Sequence, residues 1–377
     1  MQWRIIFGFF SVAAIAGIIF LWNRFTKFGI VKKLANGKKW KSALIALIPI
    51  AIFGLFMLIS LINTVIVMVH MSIVWLFAEL IALVIRKIKN NKDKYIEKKE
   101  IKTKYKPYMV GIIVLCIEIC YFTTGWFLAH HVTETDYHVT TSKNVGTEGL
   151  RVALIADSHV GATFDADGFK KHLEKIEAAK PDILVIAGDF VDDGTTREDM
   201  LNACEALGEF QCPYGKYFVY GNHDKGYYAK KNFTSTELYW ALYRADVTVL
   251  QDRAVLVDDR FYVVGRRDRS EQDHKNMSEL MKDLDTDKYV IVVDHQPTDY
   301  EAEAAAGCDL VLSGHTHGGQ MIEMKLAAYL MKANDRIYGL EKRDNTTFIV
   351  TSGIGDWEID FKTGTKAEFC IIDIENQ

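Results

Sequence analysis

The chain has 377 residues, of which 49% are hydrophobic and 25% are charged, and it contains only five prolines. This composition excludes a disordered or low-complexity protein, and the length exceeds that of one small domain. The formal net charge of −4 hides an asymmetry, because residues 1–131 hold 18 Lys and Arg against 5 Asp and Glu, whereas residues 132–377 hold 27 against 44. The acidic second part disfavours binding to nucleic acid, whose phosphates it repels.

Apolar residues are concentrated at the start of the chain and predict four membrane-spanning helices. These lie at about 4–22, 43–61, 64–85 and 108–130. A crossing needs about 20 apolar residues, so the long apolar stretch 43–85 is better explained by two crossings with a turn near Ser60 to Thr64. The first segment is longer than the roughly 7 to 15 apolar residues of a signal peptide, and no small-residue cleavage site follows it, which favours an uncleaved helix.

The ionisable residues His70, Glu79 and Glu118 lie within these segments. Ionisable groups within a membrane are functional candidates, although Glu79 and Glu118 are equally compatible with facing the interior of a helix bundle.

The loops between the predicted helices indicate an orientation. Loop 23–41 carries seven Lys and Arg and no acid, and loop 86–107 carries ten against three acids. Four crossings put both loops on one side, which the positive-inside rule assigns to the cytoplasm. The part of the chain after residue 131 is therefore expected outside the cytoplasm. A nucleic-acid patch is disfavoured for these loops, since they lack interleaved aromatics and lie between membrane helices.

The second part of the chain has the alternating pattern of an α/β fold. Strand-like runs at 151–156, 182–187, 216–220, 289–293 and 308–313 alternate with helical stretches such as 166–179. The five runs end in polar patches that read ALIADSHVG, ILVIAGDFVDD, KYFVYGNHD, YVIVVDHQP and DLVLSGHTHGGQ. In open α/β sheets the carboxyl ends of strands are the usual place for a site.

These patches supply imidazole, carboxylate and amide groups that suit divalent cations. They contain Asp157, His159, Asp189, Asn222, His223, Asp224, His295, His315 and His317. A single histidine at a strand end is more commonly a packed or surface residue than a ligand. Here there are five such patches, and small neighbours such as Gly188 and Gly314 allow sharp turns. Together they indicate a metal site.

The five blocks together resemble the calcineurin-like metallophosphoesterases, whose pattern runs Asp-x-His, Gly-Asp, Gly-Asn-His-Asp/Glu, His, Gly-His-x-His. All five occur in family order between Asp157 and His317, and the GHTHGGQ ending is similar to a membrane-linked bacterial branch. The resemblance covers roughly residues 150 to 373 and implies two mixed sheets flanked by helices. We therefore predict a transmembrane region at 1–131, a linker at 132–149 and a metallophosphoesterase α/β sandwich at 150–377.

The resemblance also implies a dinuclear site with manganese, iron or zinc. Asp157, His159, Asp189 and His317 are expected to hold the first cation, and Asp189, Asn222, His295 and His315 the second. Asp189 would bridge them, holding the cations about 3.5 to 4 Å apart so that both grip one phosphoryl group. A hydroxide between them is then the expected nucleophile.

His223 and Asp224 are the predicted catalytic residues. In the family the matching histidine donates a proton to the leaving oxygen, and a neighbouring carboxylate raises the pKa of an imidazole. The other interpretation of His223 is a residue that only orients Asn222.

The chain departs from the family pattern after the turn at Ser352 to Gly355. A proline and an arginine are missing there, and Lys362 or Lys366 is a candidate replacement for the missing cation. Arg266 and Arg267 are candidate phosphate contacts, with surface arginines as the commoner explanation.

The sequence thus predicts a membrane-anchored, outward-facing, metal-dependent phosphoric ester hydrolase, most simply a phosphodiesterase. Its expected partners are a lipid-linked, envelope or small-molecule phosphoester and the membrane lipids, not nucleic acid. The alternative is a membrane sensor or transport-coupled protein that uses the domain as a phosphate-ligand binding module.

Overall fold

The computed structural model describes residues 2–92, 105–226 and 231–377. The chain divides into two compact units, Met1–Thr124 and Gly125–Gln377. The domain boundaries predicted from the sequence remain a proposal.

The first unit is helical. Its helices are α1 (Gln2–Phe25), α2 (Gly29–Leu34), α3 (Lys39–Ile45), α4 (Leu47–Ile59), α5 (Leu61–Lys92) and α6 (Met109–His130), the last of which continues into the second unit. Within the described residues, three segments are long and apolar enough to cross a membrane: Lys39–Ile59, Leu61–Lys89 and Met109–His130. A shorter apolar helix, Ala14–Phe25, precedes them, so the fourth crossing stays a prediction.

The break between α4 and α5 falls where the sequence predicts a turn. Ser60 has an extended backbone there, with φ −144° and ψ 104°. Most of the predicted basic loop 86–107 lies outside the described residues, since residues 93–104 are not among them.

The polar groups of the apolar helices pair with one another. His70 Nδ1 lies 3.0 Å from Glu118 Oε2 on α6. Glu79 on α5 contacts the Arg24 guanidinium at 2.7 Å and the Lys27 ammonium at 2.9 Å. Pairing of this kind lowers the cost of keeping ionisable groups among apolar helices.

The second unit contains two six-stranded mixed sheets. Their strands are β1 (Thr133–Thr141), β2 (Leu150–Ile155), β3 (Ile183–Ala187), β4 (Lys216–Val219), β5 (Val247–Val249), β6 (Arg253–Val257), β7 (Phe261–Gly265), β8 (Tyr289–Val293), β9 (Leu310–Ser313), β10 (Gly339–Arg343), β11 (Thr346–Val350) and β12 (Glu368–Asn376). The first sheet has the order β1-β12-β2-β3-β4-β5 and the second β10-β11-β9-β8-β7-β6. The strands β2, β3 and β4 run parallel, as do β7, β8, β9 and β11, so their carboxyl ends share one edge of each sheet.

Helices cover the outer faces of the two sheets. They are α7 (Ala166–Ala178), α8 (Arg197–Glu209), α9 (Ser235–Arg244), α10 (Met277–Met281) and α11 (Tyr300–Ala305). A further helix, α12 (Ile322–Met331), follows β9 and has no buried residue. Helix α7 begins where the Asp165 carboxylate accepts a hydrogen bond from the Gly168 N–H at 2.8 Å, a side-chain cap of the exposed first turn. The predicted α/β sandwich of two mixed sheets flanked by helices is confirmed.

The alternating side chains of the strands build three apolar layers. Ala153 and Ile155 of β2 face α7 and α8, while Val152 and Leu154 face the second sheet. A third layer, which includes Val290, lies between the second sheet and helices α10 and α11. Because β2 is buried on both faces, its register is fixed and the residues that follow it are held in place.

Arg266, a candidate phosphate contact from the sequence, is a buried structural residue. It is 4% exposed, and its guanidinium contacts Asp294 at 2.8 Å, Asp299 at 2.9 Å and Glu303 at 3.2 Å. Burial would lower the pKa of Arg266, but these carboxylates raise it above its ordinary value. The network holds the turn after β8, where His295 follows Asp294, so Arg266 is not a surface arginine and is not available to a phosphate.

Replacing Arg266 with Met should destabilise the second unit by about 3–5 kcal/mol, since it leaves buried carboxylates without their cation. Arg267→Met is the matched control, because Arg267 is partly exposed and its guanidinium lies 3.8 Å from Asp252. We expect less than about 1 kcal/mol for that change. Denaturant unfolding of the full chain in detergent measures both, and equal losses would contradict a structural role specific to Arg266.

Candidate metal centre

The predicted ligands converge at the carboxyl ends of strands from both sheets. Asp157 follows β2, Asp189 follows β3, Asn222 follows β4, His295 follows β8 and His315 follows β9. His159 and His317 lie two residues after Asp157 and His315, so each loop delivers its side chains within a few residues of a buried strand.

The backbone of these loops is strained. Five of the seven predicted ligands have a left-handed conformation, namely Asp157 (φ 52°), His159 (φ 39°), Asp189 (φ 51°), His315 (φ 70°) and His317 (φ 47°). Each such residue costs on the order of 1–3 kcal/mol, and this kind of strain concentrates at functional sites. Cross-loop hydrogen bonds hold it, since the Asp157 N–H donates to Gly188 O at 2.9 Å and the His159 N–H to Asp189 O at 3.1 Å.

Two glycines let the loops approach closely. A Cβ at Gly188 would lie 2.6 Å from the Gly221 nitrogen and 2.7 Å from His295 Nδ1. A Cβ at Gly314 would lie 2.5 Å from Asp157 Oδ2. Any other residue at these positions would push the ligand side chains apart.

The ligands form two groups of the predicted composition. Asp157, His159 and His317 make one, and Asp189, His295 and His315 make the other; within each group the ligand atoms lie within 4.8 Å of one another. Asp189 Oδ2 faces both groups, at 3.9 Å from His159 Nε2 and 3.1 Å from His295 Nε2. Its other oxygen accepts a hydrogen bond from the His223 N–H at 2.8 Å.

Cation binding needs neutral imidazole nitrogens, and two of the ligand histidines meet this need directly, whereas burial would lower the pKa of His295 but Asp189 raises it above its ordinary value. Burial lowers the pKa of His159 to about 3 and that of His315 to about 4. His295 Nδ1 lies 2.7 Å from the carbonyl oxygen of Ala187, which can only accept a hydrogen bond. The proton therefore sits on Nδ1, and Nε2 is left to face the site.

Orphaned polar atoms show that the residues fit a divalent cation. His159 Nε2 and Asn222 Oδ1 are buried and have no hydrogen-bond partner in the described part of the chain. Buried polar atoms are almost always satisfied, and a metal ion is the group that imidazole nitrogen and amide oxygen atoms can share. The donor set of nitrogen and oxygen atoms suits manganese, iron and zinc alike.

Asp192, which the sequence analysis missed, lies between two of the histidines. Its carboxylate is 3.3 Å from His223 Nδ1 and 3.6 Å from His159 Nδ1. Burial would lower the pKa of His223, but Asp192 and Asp189 raise it above the ordinary value. This shift favours the protonated ring, as an acid requires. The His223 ring centroid also lies 5.0 Å from that of Trp357.

Asp224 is directed at the backbone rather than at the cation groups. Its oxygens accept four N–H groups, those of Asp189 (2.9 Å), Phe190 (2.8 Å), Val191 (3.0 Å) and Gly221 (2.7 Å). These bonds tie the loop after β3 to the loop after β4. The catalytic role predicted for Asp224 stays a prediction; the contacts describe a group that positions Asp189.

Lys362 does not replace the missing family cation as a substrate contact, because it is fully buried. Its ammonium lies 2.9 Å from Asp356 Oδ1 and donates to Ser352 O at 2.7 Å. Asp356 in turn lies 3.5 Å from His317 Nδ1. Burial would raise the pKa of Asp356, but the Lys362 ammonium lowers it below the ordinary value, so a carboxylate faces the far nitrogen of a predicted ligand.

Comparisons with known proteins match one family and several relatives. The calcineurin-like phosphoesterase family matches residues 150–319. An uncharacterized metallophosphoesterase of Campylobacter jejuni is 26% identical over 276 residues, covering 72% of this chain and 70% of that protein. One of Aquifex aeolicus is 36% identical over 182 residues, covering 46% and 65%. A Danio rerio protein named "Transmembrane protein with metallophosphoesterase domain" is 28% identical over 235 residues, covering 58% of this chain and 52% of its own length.

The contact between Asp356 and His317 predicts an effect on metal affinity. Asp356→Asn should weaken binding by about tenfold to a hundredfold, the usual cost of losing a carboxylate behind a histidine ligand. Asp360→Asn, at an exposed position in the same segment, is the control. Titration of the metal-stripped protein with Mn²⁺ measures both.

Because Asp356→Asn also leaves Lys362 without its carboxylate, the variant combining it with Lys362→Met separates stability from orientation. It should recover the unfolding midpoint but not the metal affinity. Full recovery of affinity in the double variant would show that Asp356 acts only on stability.

Proposed function

Residues 150–319 of this chain form a calcineurin-like metallophosphoesterase domain, the domain of a metal-dependent phosphoester hydrolase, and we propose that the protein is a membrane-anchored phosphodiesterase with two divalent cations in its site. The observation that carries this proposal is the position of Asp189 Oδ2, which faces a histidine of each ligand group. A carboxylate shared in this way is what a two-cation site needs.

Two bound cations supply Lewis acidity, which polarises a phosphoryl group and activates water for in-line attack. The residues of the chain bind and orient the reacting groups. Asp157, His159 and His317 would hold one cation and Asn222, His295 and His315 the other, with Asp189 shared between the two. Asp224 fixes the backbone from which Asp189 projects.

His223 acts as the general acid in this proposal. As the phosphorus–oxygen bond to the leaving group breaks, the leaving oxygen takes the proton of the His223 imidazolium. Asp192, at 3.3 Å from Nδ1, holds the ring and stabilises its charged form, so that Nε2 carries the proton to be given. His223 is 8% exposed, so the residue is not fully enclosed.

The substrate class follows from where the domain is attached. The apolar helices that precede the domain anchor it at a membrane, and its acidic composition disfavours polynucleotides. A lipid-linked or envelope phosphodiester therefore fits better than nucleic acid, with a soluble small-molecule ester as the other candidate.

Turnover by the purified full-length protein tests both the activity and the acid. With Mn²⁺ added, the wild type should hydrolyse bis(4-nitrophenyl) phosphate and a glycerol phosphodiester, and chelation should abolish both activities. A domain that only binds phosphate ligands would show binding without turnover of either ester.

His223→Asn should keep the metal content and lose mainly the glycerol ester, because an alkoxide needs the proton whereas nitrophenolate departs without one. The expected loss on the glycerol ester is about 10²- to 10⁴-fold. Equal losses on both esters would mean that His223 acts on the cations or on binding instead.

We also propose that the domain faces away from the cytoplasm, on the strength of the two basic loops. Protease added to protoplasts should then degrade residues beyond 131 and spare the loop 86–107. Protection of the domain in protoplasts, with cleavage only after lysis, would reverse the orientation.

A further inference from the structure

Helix α12 is an apolar helix with no buried residue. It spans Ile322–Met331 and reads IEMKLAAYLM. Six large apolar side chains on it are 45–78% exposed, namely Ile322, Met324, Leu326, Tyr329, Leu330 and Met331. A soluble surface rarely carries apolar side chains in one continuous patch, so this helix needs something to cover it.

Hydrogen bonds tie α12 to the end of the last apolar helix. The Ile322 N–H donates to Thr363 Oγ1 at 3.2 Å, and the Lys325 ammonium donates to Gly364 O at 3.1 Å. Thr363 and Gly364 belong to the strip 361–367, which is also bonded to the end of α6. The Lys362 N–H donates to Gly125 O at 2.9 Å, and the Ala367 N–H donates to Leu128 O at 2.8 Å. The strip 361–367 is therefore bonded both to α12 and to the last turns of α6.

Those last turns of α6 have the composition of a membrane boundary. Met109–His130 is apolar and long enough to cross a membrane. Near its end Trp126 and Phe127 are each about half exposed, at 52% and 53%. Aromatic side chains at the end of a span mark the level of the lipid headgroups. Because α12 is bonded to the strip that contacts these turns, lipid is available to cover its apolar side chains.

Basic residues beside α12 have the charge that a bilayer surface attracts. An open groove of about 1010 Å³ runs along the helix and is lined by Arg269, Lys325, Lys332 and Arg336 together with Leu326 and Tyr329. Its acidic lining residues are Asp335 and Glu341. Glu341 is paired with Arg336 at 3.0 Å and with Arg343 at 2.6 Å, and Asp335 accepts the Tyr300 N–H at 3.1 Å.

We propose that α12 and its basic groove form a membrane-docking surface, with the apolar side chains in the headgroup layer and the cations on anionic lipid headgroups. Interfacial helices combine apolar side chains, which enter the boundary of the headgroup layer, with Lys and Arg that attract anionic lipids. Lys332, which is exposed, can keep its ammonium group at the headgroups while its alkyl stem contacts the acyl boundary. The surface is independent of the hydrolytic activity.

A photocrosslinker placed in the full-length protein tests this surface. p-Benzoylphenylalanine replaces Leu330 in one variant and Tyr243 on α9 in the control, because both side chains are well exposed, at 72% and 62%. Each variant is reconstituted in vesicles of phosphatidylcholine, with and without phosphatidylglycerol, and irradiated. Mass spectrometry then counts the lipid adducts at each position.

Lipid adducts at position 330 should exceed those at 243 by about tenfold, as expected for a helix in the headgroup layer. Phosphatidylglycerol should raise the yield at 330, and Lys332→Gln should reduce that increase. Equal yields at both positions would overturn the proposal. Adducts from position 330 to a second copy of the chain would overturn it as well, since α12 would then be a dimer contact.

Discussion

The position of one carboxylate determines the rest of the site. Asp189 follows the end of β3 and has a left-handed backbone conformation. One of its carboxylate oxygens accepts a hydrogen bond from the His223 N–H, and the other faces His159 and His295. The Asp224 carboxylate accepts a hydrogen bond from the Asp189 N–H. A Cβ at Gly221 would collide with the Asp189 side chain, so the glycine makes room for it. The local strain is compensated by the buried strands on both sides, so the fold keeps a geometry that the isolated loop would not adopt.

The charges around this carboxylate are balanced in a way that leaves the site itself negative. Just outside the ligands, three buried carboxylates have basic partners: Asp192 has His223, Asp356 has Lys362 and Asp294 has Arg266. In the described part of the chain, Asp157 and Asp189 have no Lys or Arg within 4 Å and face only histidines. Burial lowers the pKa of His159 to about 3, so that imidazole supplies no positive charge at neutral pH. Burial would also lower the pKa of His295, but Asp189 raises it, so His295 supplies part of the charge. A divalent cation would supply the rest.

The sequence predicted what is local and periodic. The strand expected at 216–220 is Lys216–Val219, and the helix expected at 166–179 is Ala166–Ala178, because each has a clear apolar pattern and a cap or turn. Residues 132–149 contain β1, whose sequence TETDYHVTT is mostly polar and so lacks the apolar run that predicts the other strands. The partner of β1, β12, lies more than 200 residues away. The roles of Asp192, Asp356 and Lys362 were missed or misassigned for a related reason: they depend on which side chains meet across loops, and composition does not show which lysine or arginine is buried.

The most direct test of the two-cation site is the metal content and turnover of Asp189→Asn against the wild type, with both proteins purified as full chains. The two-cation proposal predicts two cations per chain in the wild type. It predicts loss of at least one of them in the variant, with hydrolysis abolished and the unfolding midpoint little changed. Wild-type metal content together with near-normal turnover in Asp189→Asn would contradict the shared carboxylate and the mechanism that rests on it.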